Sequence, residues 1–220
     1  MMLPALLVAH IAVLGCWLGA ELVINSTYRY VSWAAAMPFA ERDRLMDHVL
    51  DVDQHVRYAL ILQAGLGTAL AALLGYLPGG ESLAVAAGGA ALAWLALAEA
   101  THRRRRATVG ARLAMLDRGV RYLAIAAFLA LAASVLAGVL PAPRWLGLKL
   151  ALFAGVVACG LGIRWQLLRF YVTWRVMARE GSAAALEDEI RRTYVAATAI
   201  LVGLWVLIAG IVMLSVLKPG

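Results

Sequence analysis

The sequence has little charge, because only 15% of its 220 residues are Asp, Glu, Lys or Arg, against 64% that are hydrophobic. Soluble domains carry about 25% charged residues, so an ordinary soluble protein is excluded. Only two cysteines are present, and both lie inside apolar runs, which excludes a disulfide scaffold or a Cys-type zinc site. The sequence also lacks a P-loop, an H-E-x-x-H motif and a nucleophile elbow.

Six apolar runs are long enough to cross about 30 Å of hydrocarbon as helices. They show no period-2 alternation, and only helices then satisfy the backbone in lipid. The sequence predicts an all-α polytopic membrane protein, a six-transmembrane-helix bundle that forms a single integral membrane domain over residues 1–220. The predicted transmembrane helices cover residues 3–24, 58–77, 83–102, 122–140, 145–163 and 194–217. The charged segments 41–54 and 164–180 are also predicted to be helical, the second as a continuation of the fifth helix up to Gly181.

The basic residues are distributed unevenly, although the net charge of +7 by itself says little. All but three of the 20 Lys and Arg residues lie near the connections after the first, third and fifth helices. The exceptions are Arg144, Lys149 and Lys218. The positive-inside rule therefore predicts that both the N- and C-termini are on the outer side of the membrane. The basic run 103–106 is interpreted as a membrane anchor, with an anionic-lipid site as the alternative. The lipid bilayer is the expected partner, and nucleic acid is not.

One internal repeat is visible. A D-x-x-V-R-Y motif beginning at Asp53 recurs 64 residues later, beginning at Asp117. Each copy opens an apolar run that ends near a proline, Pro78 or Pro141. This predicts a duplicated helical hairpin, with helices two and three as one copy and four and five as the other. Arg-Tyr pairs that anchor helices at the interface are the alternative explanation.

The first helix carries a polar line. His10, Trp17, Glu21 and Tyr28 lie within about 20° of one line along the helix at 100° per residue, so this line is expected to face the bundle interior. A G-x-x-x-G motif beginning at Gly15 predicts the close approach of another helix. Ionisable side chains are costly in hydrocarbon and indicate function, whereas a structural polar seam is the alternative.

His10 and Lys149 are predicted to lie at similar depth, about 10 Å and 6 Å from the outer ends of their helices. They could therefore share a cavity. Imidazole is a common axial ligand of haem iron, and a desolvated lysine can ligate as a neutral amine. The alternative for Lys149 is snorkelling to the interface.

A weaker pattern lies on the inner side. Glu99 and His102 form an E-x-x-H pair, and His55 lies on the predicted surface helix that precedes the second span. Such residues could form an inner-side His/carboxylate site of a metal-dependent membrane enzyme, or His55 and His102 could bind a second haem. Placement in solvent or at the interface is the alternative.

Three short motifs resemble a known family. His10, Trp17 and Gly19 resemble the H-x6-W-x-x-G opening of the HemJ-type protoporphyrinogen oxidases, and the segment from Trp145 to Leu150 resembles their W-L-x-x-K-L motif. The ending V-L-K-P-G, residues 216–220, is similar to their closing V-V-K-P-F. CopD-like haem b membrane proteins share the general pattern. Because these families are bacterial, the resemblance implies a multi-pass protein of the bacterial inner (cytoplasmic) membrane.

The resemblance implies a helical bundle that holds haem b, with His10 and Lys149 as essential positions and protoporphyrinogen as substrate. The leading hypothesis is therefore a haem b membrane oxidoreductase with one or two haems. His10 would be an axial ligand, and Lys149 would be the opposite ligand or line the pocket. Trp17 and Phe153 would pack on the porphyrin, while Arg144 would pair with its propionates.

In this hypothesis, electrons come from a porphyrinogen or a redox-partner subunit and leave to quinone. Glu21 relays protons, which makes Glu21 and Lys149 the catalytic candidates. The second hypothesis is a transporter or ion-handling protein that uses His10, Glu21 and Lys149. The oligomeric state is open, and a homo-oligomer is one of the alternatives.

Overall fold

The computed structural model describes residues 2–105 and 107–219. Arg106, which ends the predicted basic anchor, and Gly220, which ends the closing motif, lie outside these residues. Within these residues the only regular secondary structure is α-helix, and there is no strand. Each of the six helices is long and apolar enough to cross a membrane. The helices are α1 (Met2–Trp33), α2 (Phe39–Leu73), α3 (Gly80–Arg103), α4 (Gly110–Leu136), α5 (Arg144–Glu180) and α6 (Ala184–Leu217).

The six helices form a ring in chain order. Each helix packs against the next, and α6 returns to contact α1. One end of the bundle, called here the terminal end, holds the start of α1, the end of α6 and the connections 74–79 and 137–143. The opposite end, called the basic end, holds the connection 34–38, the described residues 104–105 and 107–109 between α3 and α4, and the connection 181–183. Large apolar side chains such as Val8, Val85 and Leu123 are mostly exposed on the outside of the ring, as a bilayer-facing surface requires.

The interior contains three apolar clusters stacked along the bundle axis. The terminal-end cluster comprises Ala71, Leu77, Ala132, Trp145, Leu146 and Leu150. The central cluster is built around Trp17, Ile61, Trp94, Val156, Val157 and Leu204. The basic-end cluster contains Tyr28, Met46, Phe170, Trp174, Met177, Ile190 and Tyr194. Since α3 and α4 contribute nothing to the last cluster, the other four helices extend beyond them at the basic end.

Helix boundaries differ from the predicted spans at several ends, because α1 continues to Trp33 and α6 already starts at Ala184. The helices α2 and α4 also start well before their apolar runs; Arg42 in the first turn of α2 is buried, whereas Arg112 in the first turn of α4 is exposed. Both end before the predicted limits of 77 and 140, where Gly75 and Gly138 adopt the left-handed conformation with φ of 76° and 73°. The predicted extension of α5 through residue 180 is confirmed, and the helix stops at Gly181, whose φ is 84°.

The repeated motif has the same local geometry in both copies. Arg57 bonds Asp53 on α2, and Arg121 bonds Asp117 on α4, each one helical turn apart. The helices α2 and α4 then end in the same turn at Gly75 and Gly138. Common origin of the two hairpins stays a prediction.

The predicted close approach at the G-x-x-x-G motif of α1 is wrong within the described chain. A methyl group added at Gly15 or Gly19 would meet nothing within 4 Å. Close glycine packing between helices occurs elsewhere, for example at Gly65 of α2, where an added Cβ would lie 2.5 Å from the Cβ of Ala91 on α3. The motif on α1 instead lies on the exposed surface of the ring.

Candidate functional site

A cavity that holds three of the eight predicted site residues lies at the terminal end of the bundle. It has a volume of about 430 Å³ and is called here the terminal cavity. Residues of α1, α2, α4, α5 and α6 and of the turn after α2 line it. The predicted residues among them are His10, Lys149 and Phe153. The structure therefore brings His10 and Lys149 together, as their similar depth along two parallel helices predicts.

His10 is half-buried on α1 and packs against α2. Its backbone oxygen accepts a hydrogen bond of 2.7 Å from Nε2 of Gln63, which fixes this point of α1 to α2. A Cβ at Gly67 would lie 3.3 Å from Cε1 of the imidazole, so the absence of a side chain there leaves room for the ring. Nδ1 is enclosed and has no hydrogen-bond partner among the described residues, which leaves Nε2 as the nitrogen that reaches the cavity.

Two lysines, Lys149 and Lys218, line the terminal cavity. Lys149 is half-buried one turn after Trp145 on α5, and no carboxylate lies within 4.0 Å of its amine in the part of the chain that the structure describes. Lys218, which follows α6, donates a hydrogen bond of 3.4 Å to the hydroxyl of Tyr76. No acidic side chain lines this cavity among the described residues. The site therefore favours a largely apolar ligand with one or more negative groups.

Aromatic side chains form much of the cavity wall. Phe128 and Phe153 pack edge to face with ring centroids 5.1 Å apart, and Tyr76 and Trp145 pack in the same way at 5.1 Å. Such walls suit a flat, apolar ring system. The sequence reasoning found Phe153 but gave no site role to the other three. Phe128 and Tyr76 belong to no motif, whereas Trp145 opens the W-L-x-x-K-L motif.

Two predicted cofactor contacts, Trp17 and Arg144, do not line the terminal cavity. Trp17 is 2% exposed in the central cluster, because it lies nearly two turns beyond His10 along the same face of α1. Arg144 is exposed at the start of α5. Lys218, and not Arg144, is the basic residue near the end of a helix that lines the cavity. The sequence predicted Arg144 for that role.

Glu21 is buried in a separate, much smaller cavity nearer the basic end. It accepts a hydrogen bond of 3.2 Å from the indole of Trp17, and no basic group lies within 4.0 Å of it among the residues described. Arg57, Arg121 and Arg164 line the same small cavity. Eleven residues separate Glu21 from His10, about 16 Å along the helix, so Glu21 does not touch the terminal cavity. The prediction that the polar line of α1 faces the interior is nevertheless confirmed by the burial of Trp17, Glu21 and Tyr28.

The inner-side histidines are not brought together. His55 is exposed and its Nδ1 lies 3.2 Å from the backbone oxygen of Asp51, while Glu99 is hydrogen-bonded by Tyr58 and Arg103. Over residues 2–105 and 107–219, no group of three or more His, Cys, Asp and Glu side chains could hold a metal ion. The predicted carboxylate metal site therefore has no geometric support.

His102 lines a second large cavity at the basic end, with a volume of about 370 Å³. We call it the basic vestibule. Its polar lining residues are Asp53, Arg57, Thr101, His102, Arg105, Arg164 and Tyr171. His55 does not line it, so the two histidines predicted to hold a second haem do not share a cavity.

No family model matches the chain, and comparisons with curated proteins and with solved structures also find no match. The functional assignment therefore depends on the chemistry of the residues that line its cavities.

Proposed function

We propose that the chain is a haem b-binding integral membrane redox protein, similar to the HemJ-type oxidases, with the terminal cavity as the haem site. The observation that supports this proposal is that His10 of α1 and Lys149 of α5 line one cavity. These are the two positions to which the sequence resemblance assigns essential roles.

The residues present fit haem b in three respects. The imidazole Nε2 of His10 and the amine of Lys149 provide two nitrogen donors. A volume of about 430 Å³ lies within the range of about 300–1,000 Å³ for cofactor sites. The amine of Lys218 and the hydroxyl of Tyr76 replace Arg144 as the groups that would meet the propionates. One ordinary feature of a haem site is missing among the described residues. A ligating histidine usually donates its second ring N–H to an acceptor, and Nδ1 of His10 has no such partner there.

Bound haem would supply one-electron chemistry. The chain would orient the ring through His10, exclude water with its aromatic walls and hold the propionates with Lys218. Lys149 would help to hold the haem as a second nitrogen donor or line the pocket. Glu21, about 16 Å deeper, would carry protons towards the basic end. We extend the proposal to a porphyrinogen or a redox-partner subunit as electron donor and quinone as acceptor.

The positions of the basic residues support a location in the bacterial inner membrane with both termini outside. In that orientation the terminal cavity lies in the outer half of the bilayer. A cysteine introduced near residue 140 should then react with a membrane-impermeant thiol reagent added to whole cells, and one at residue 182 should not.

Substitution of the ligands tests the haem site. His10→Ala should abolish the Soret band of protein purified in mild detergent, because it removes the only imidazole that lines the terminal cavity in the described chain. The matched control is His48→Ala, since His48 is exposed on α2. Lys149→Met should shift or weaken the spectrum, whereas Arg144→Gln should leave it unchanged. Equal spectra for His10→Ala and wild type would move the ligand elsewhere, first to His55 or His102.

Transport is the second candidate function, and the paired cavities favour it. The terminal cavity and the basic vestibule lie towards opposite ends of the bundle, separated by the central cluster around Trp17. Substrate uptake by proteoliposomes made with colourless protein would favour transport over redox chemistry.

A further inference from the structure

The basic vestibule has more positive charge than its own acidic residues can neutralise. Three guanidinium groups line it, those of Arg57, Arg105 and Arg164, against the single carboxylate of Asp53. Arg57 already uses that carboxylate, with Nε and Nη2 at 3.0 and 2.6 Å from Oδ2. The lining of the vestibule therefore offers no carboxylate to the other two guanidinium groups.

Arg164 is the more deeply placed of these two groups. It lies just beyond the apolar part of α5 and also lines the small cavity beside Arg57 and Arg121. The nearby carboxylates of Asp53 and Asp117 are each bonded to the arginine one turn later on their own helix. No carboxylate lies within 4.0 Å of Arg164 in the ranges 2–105 and 107–219. A half-buried cation at a membrane boundary is costly unless an anion accompanies it.

Arg105 lies in the connection between α3 and α4 and lines the vestibule. Its nearest carboxylate is the exposed group of Asp51, at 3.9 Å, which is too long for a strong hydrogen bond. The guanidinium of Arg105 is therefore available to a ligand in the vestibule. The remaining lining residues are small or apolar: Leu50, Ala107, Ala111, Ala114, Leu167 and Leu168.

We propose that the basic vestibule binds a phosphate-bearing ligand, with the guanidinium groups of Arg164 and Arg105 as its recognition groups. Two guanidinium forks, neither of which is hydrogen-bonded to a carboxylate among the described residues, match the charge and the several oxygens of a phosphate better than they match one carboxylate. The apolar part of the lining would accept the carbon skeleton of the ligand. A phospholipid headgroup and a soluble phosphate ester share this chemistry. The site differs from the terminal cavity in position, charge and ligand, and it does not depend on haem binding.

Titration of the purified full chain in neutral detergent tests this proposal. The probes are short-chain phosphatidic acid and inorganic phosphate, and diacylglycerol of the same chain length is the blank. Arg164→Gln should weaken phosphatidic acid binding about tenfold, as expected for one lost charge-assisted hydrogen bond. Arg179→Gln removes the same charge from an exposed site on the same helix and should weaken binding less than about twofold.

Arg105→Gln is the second variant, because Arg105 lies in a surface connection and its loss should not affect folding. It should also weaken binding, by a smaller factor. Competition by inorganic phosphate would support the site with a soluble phosphate ester as its ligand, and lipid binding without such competition would support it with a lipid headgroup. Absence of saturable binding of both probes, or equal losses in Arg164→Gln and Arg179→Gln, would overturn the proposal.

Discussion

Replacing Arg42 by methionine should strongly destabilise the basic end of the bundle. Arg42 is 1% exposed at the start of α2 and forms two parallel hydrogen bonds to Glu187 of α6, of 2.6 and 2.9 Å. Its guanidinium also lies 5.1 Å from the ring centre of Trp174 on α5. One side chain therefore connects α2 to both α5 and α6 at this end of the bundle.

The expected cost follows from what the substitution leaves behind. Methionine fills a similar volume but leaves the carboxylate of Glu187 buried without its cation, and breaking a buried pair in this way costs about 3–5 kcal/mol. The double variant Arg42→Met with Glu187→Leu leaves no unpaired charge and should cost less than about 1.5 kcal/mol. The measurement is the free energy of unfolding in mixed micelles with increasing SDS. A loss below about 1 kcal/mol for Arg42→Met alone would refute this reasoning, since that is the value of an exposed pair.

The same pair predicts a pH dependence with a definite sign. Burial favours the neutral form of Glu187, but the hydrogen bonds from Arg42 and Ser182 and the charge of Arg42 outweigh it, so the pKa of Glu187 lies below its usual value. A lowered pKa in the folded state gives stabilisation that is complete above the usual pKa of glutamate. It is lost as the pH falls through the lower pKa of the folded protein. The stability of the wild type relative to the double variant should therefore fall as the pH falls through this acidic range.

Two further substitutions test the packing and the charged pairs of the bundle. Gly65→Ala should cost about 1–3 kcal/mol, because the added Cβ would clash with α3, whereas Gly15→Ala should cost nothing. Thermal melting in detergent measures both, and equal melting temperatures would contradict the packing described. Asp117→Asn should cost about 3–5 kcal/mol by leaving Arg121 buried without its partner, and Asp53→Asn should cost less because that pair is more exposed. Similar unfolding free energies for the two variants would be evidence against this difference.

The transmembrane bundle was predictable because hydrocarbon imposes a simple rule on composition and length. The six spans and the stop of α5 at Gly181 follow from apolar runs and turn residues. The starts of α2 and α4 do not follow from that rule, since hydropathy reports burial in lipid and not the helical state. Their first turns lie outside the apolar runs of residues 58–77 and 122–140.

The candidate site was predictable only in part. Depth along two parallel helices places His10 and Lys149 together, since rise per residue fixes their levels. The same helical periodicity suggested that Trp17 would share the site, but a stripe on a long helix passes through more than one layer of the bundle. Gln63, an amide within an apolar run, is a sequence signal that could have indicated the contact between α1 and α2, since it donates a hydrogen bond to the backbone oxygen of His10.

Ion pairs between residues far apart in the sequence could not be predicted from any sequence pattern. Arg42 and Glu187 are 145 residues apart, and each stands in a charged segment that resembles a solvated surface. The sequence places Arg164 at the start of the charged extension of α5. Only the ion pairs of the neighbouring helices show that it lacks a carboxylate partner among the described residues.

The reduced-minus-oxidised absorption spectrum of the wild-type protein, purified in mild detergent from haem-sufficient cells, tests the central claim most directly. The account predicts a red preparation with the bands of b-type haem and about one haem per chain bound in the terminal cavity. A colourless, well-folded preparation without a Soret band would contradict it.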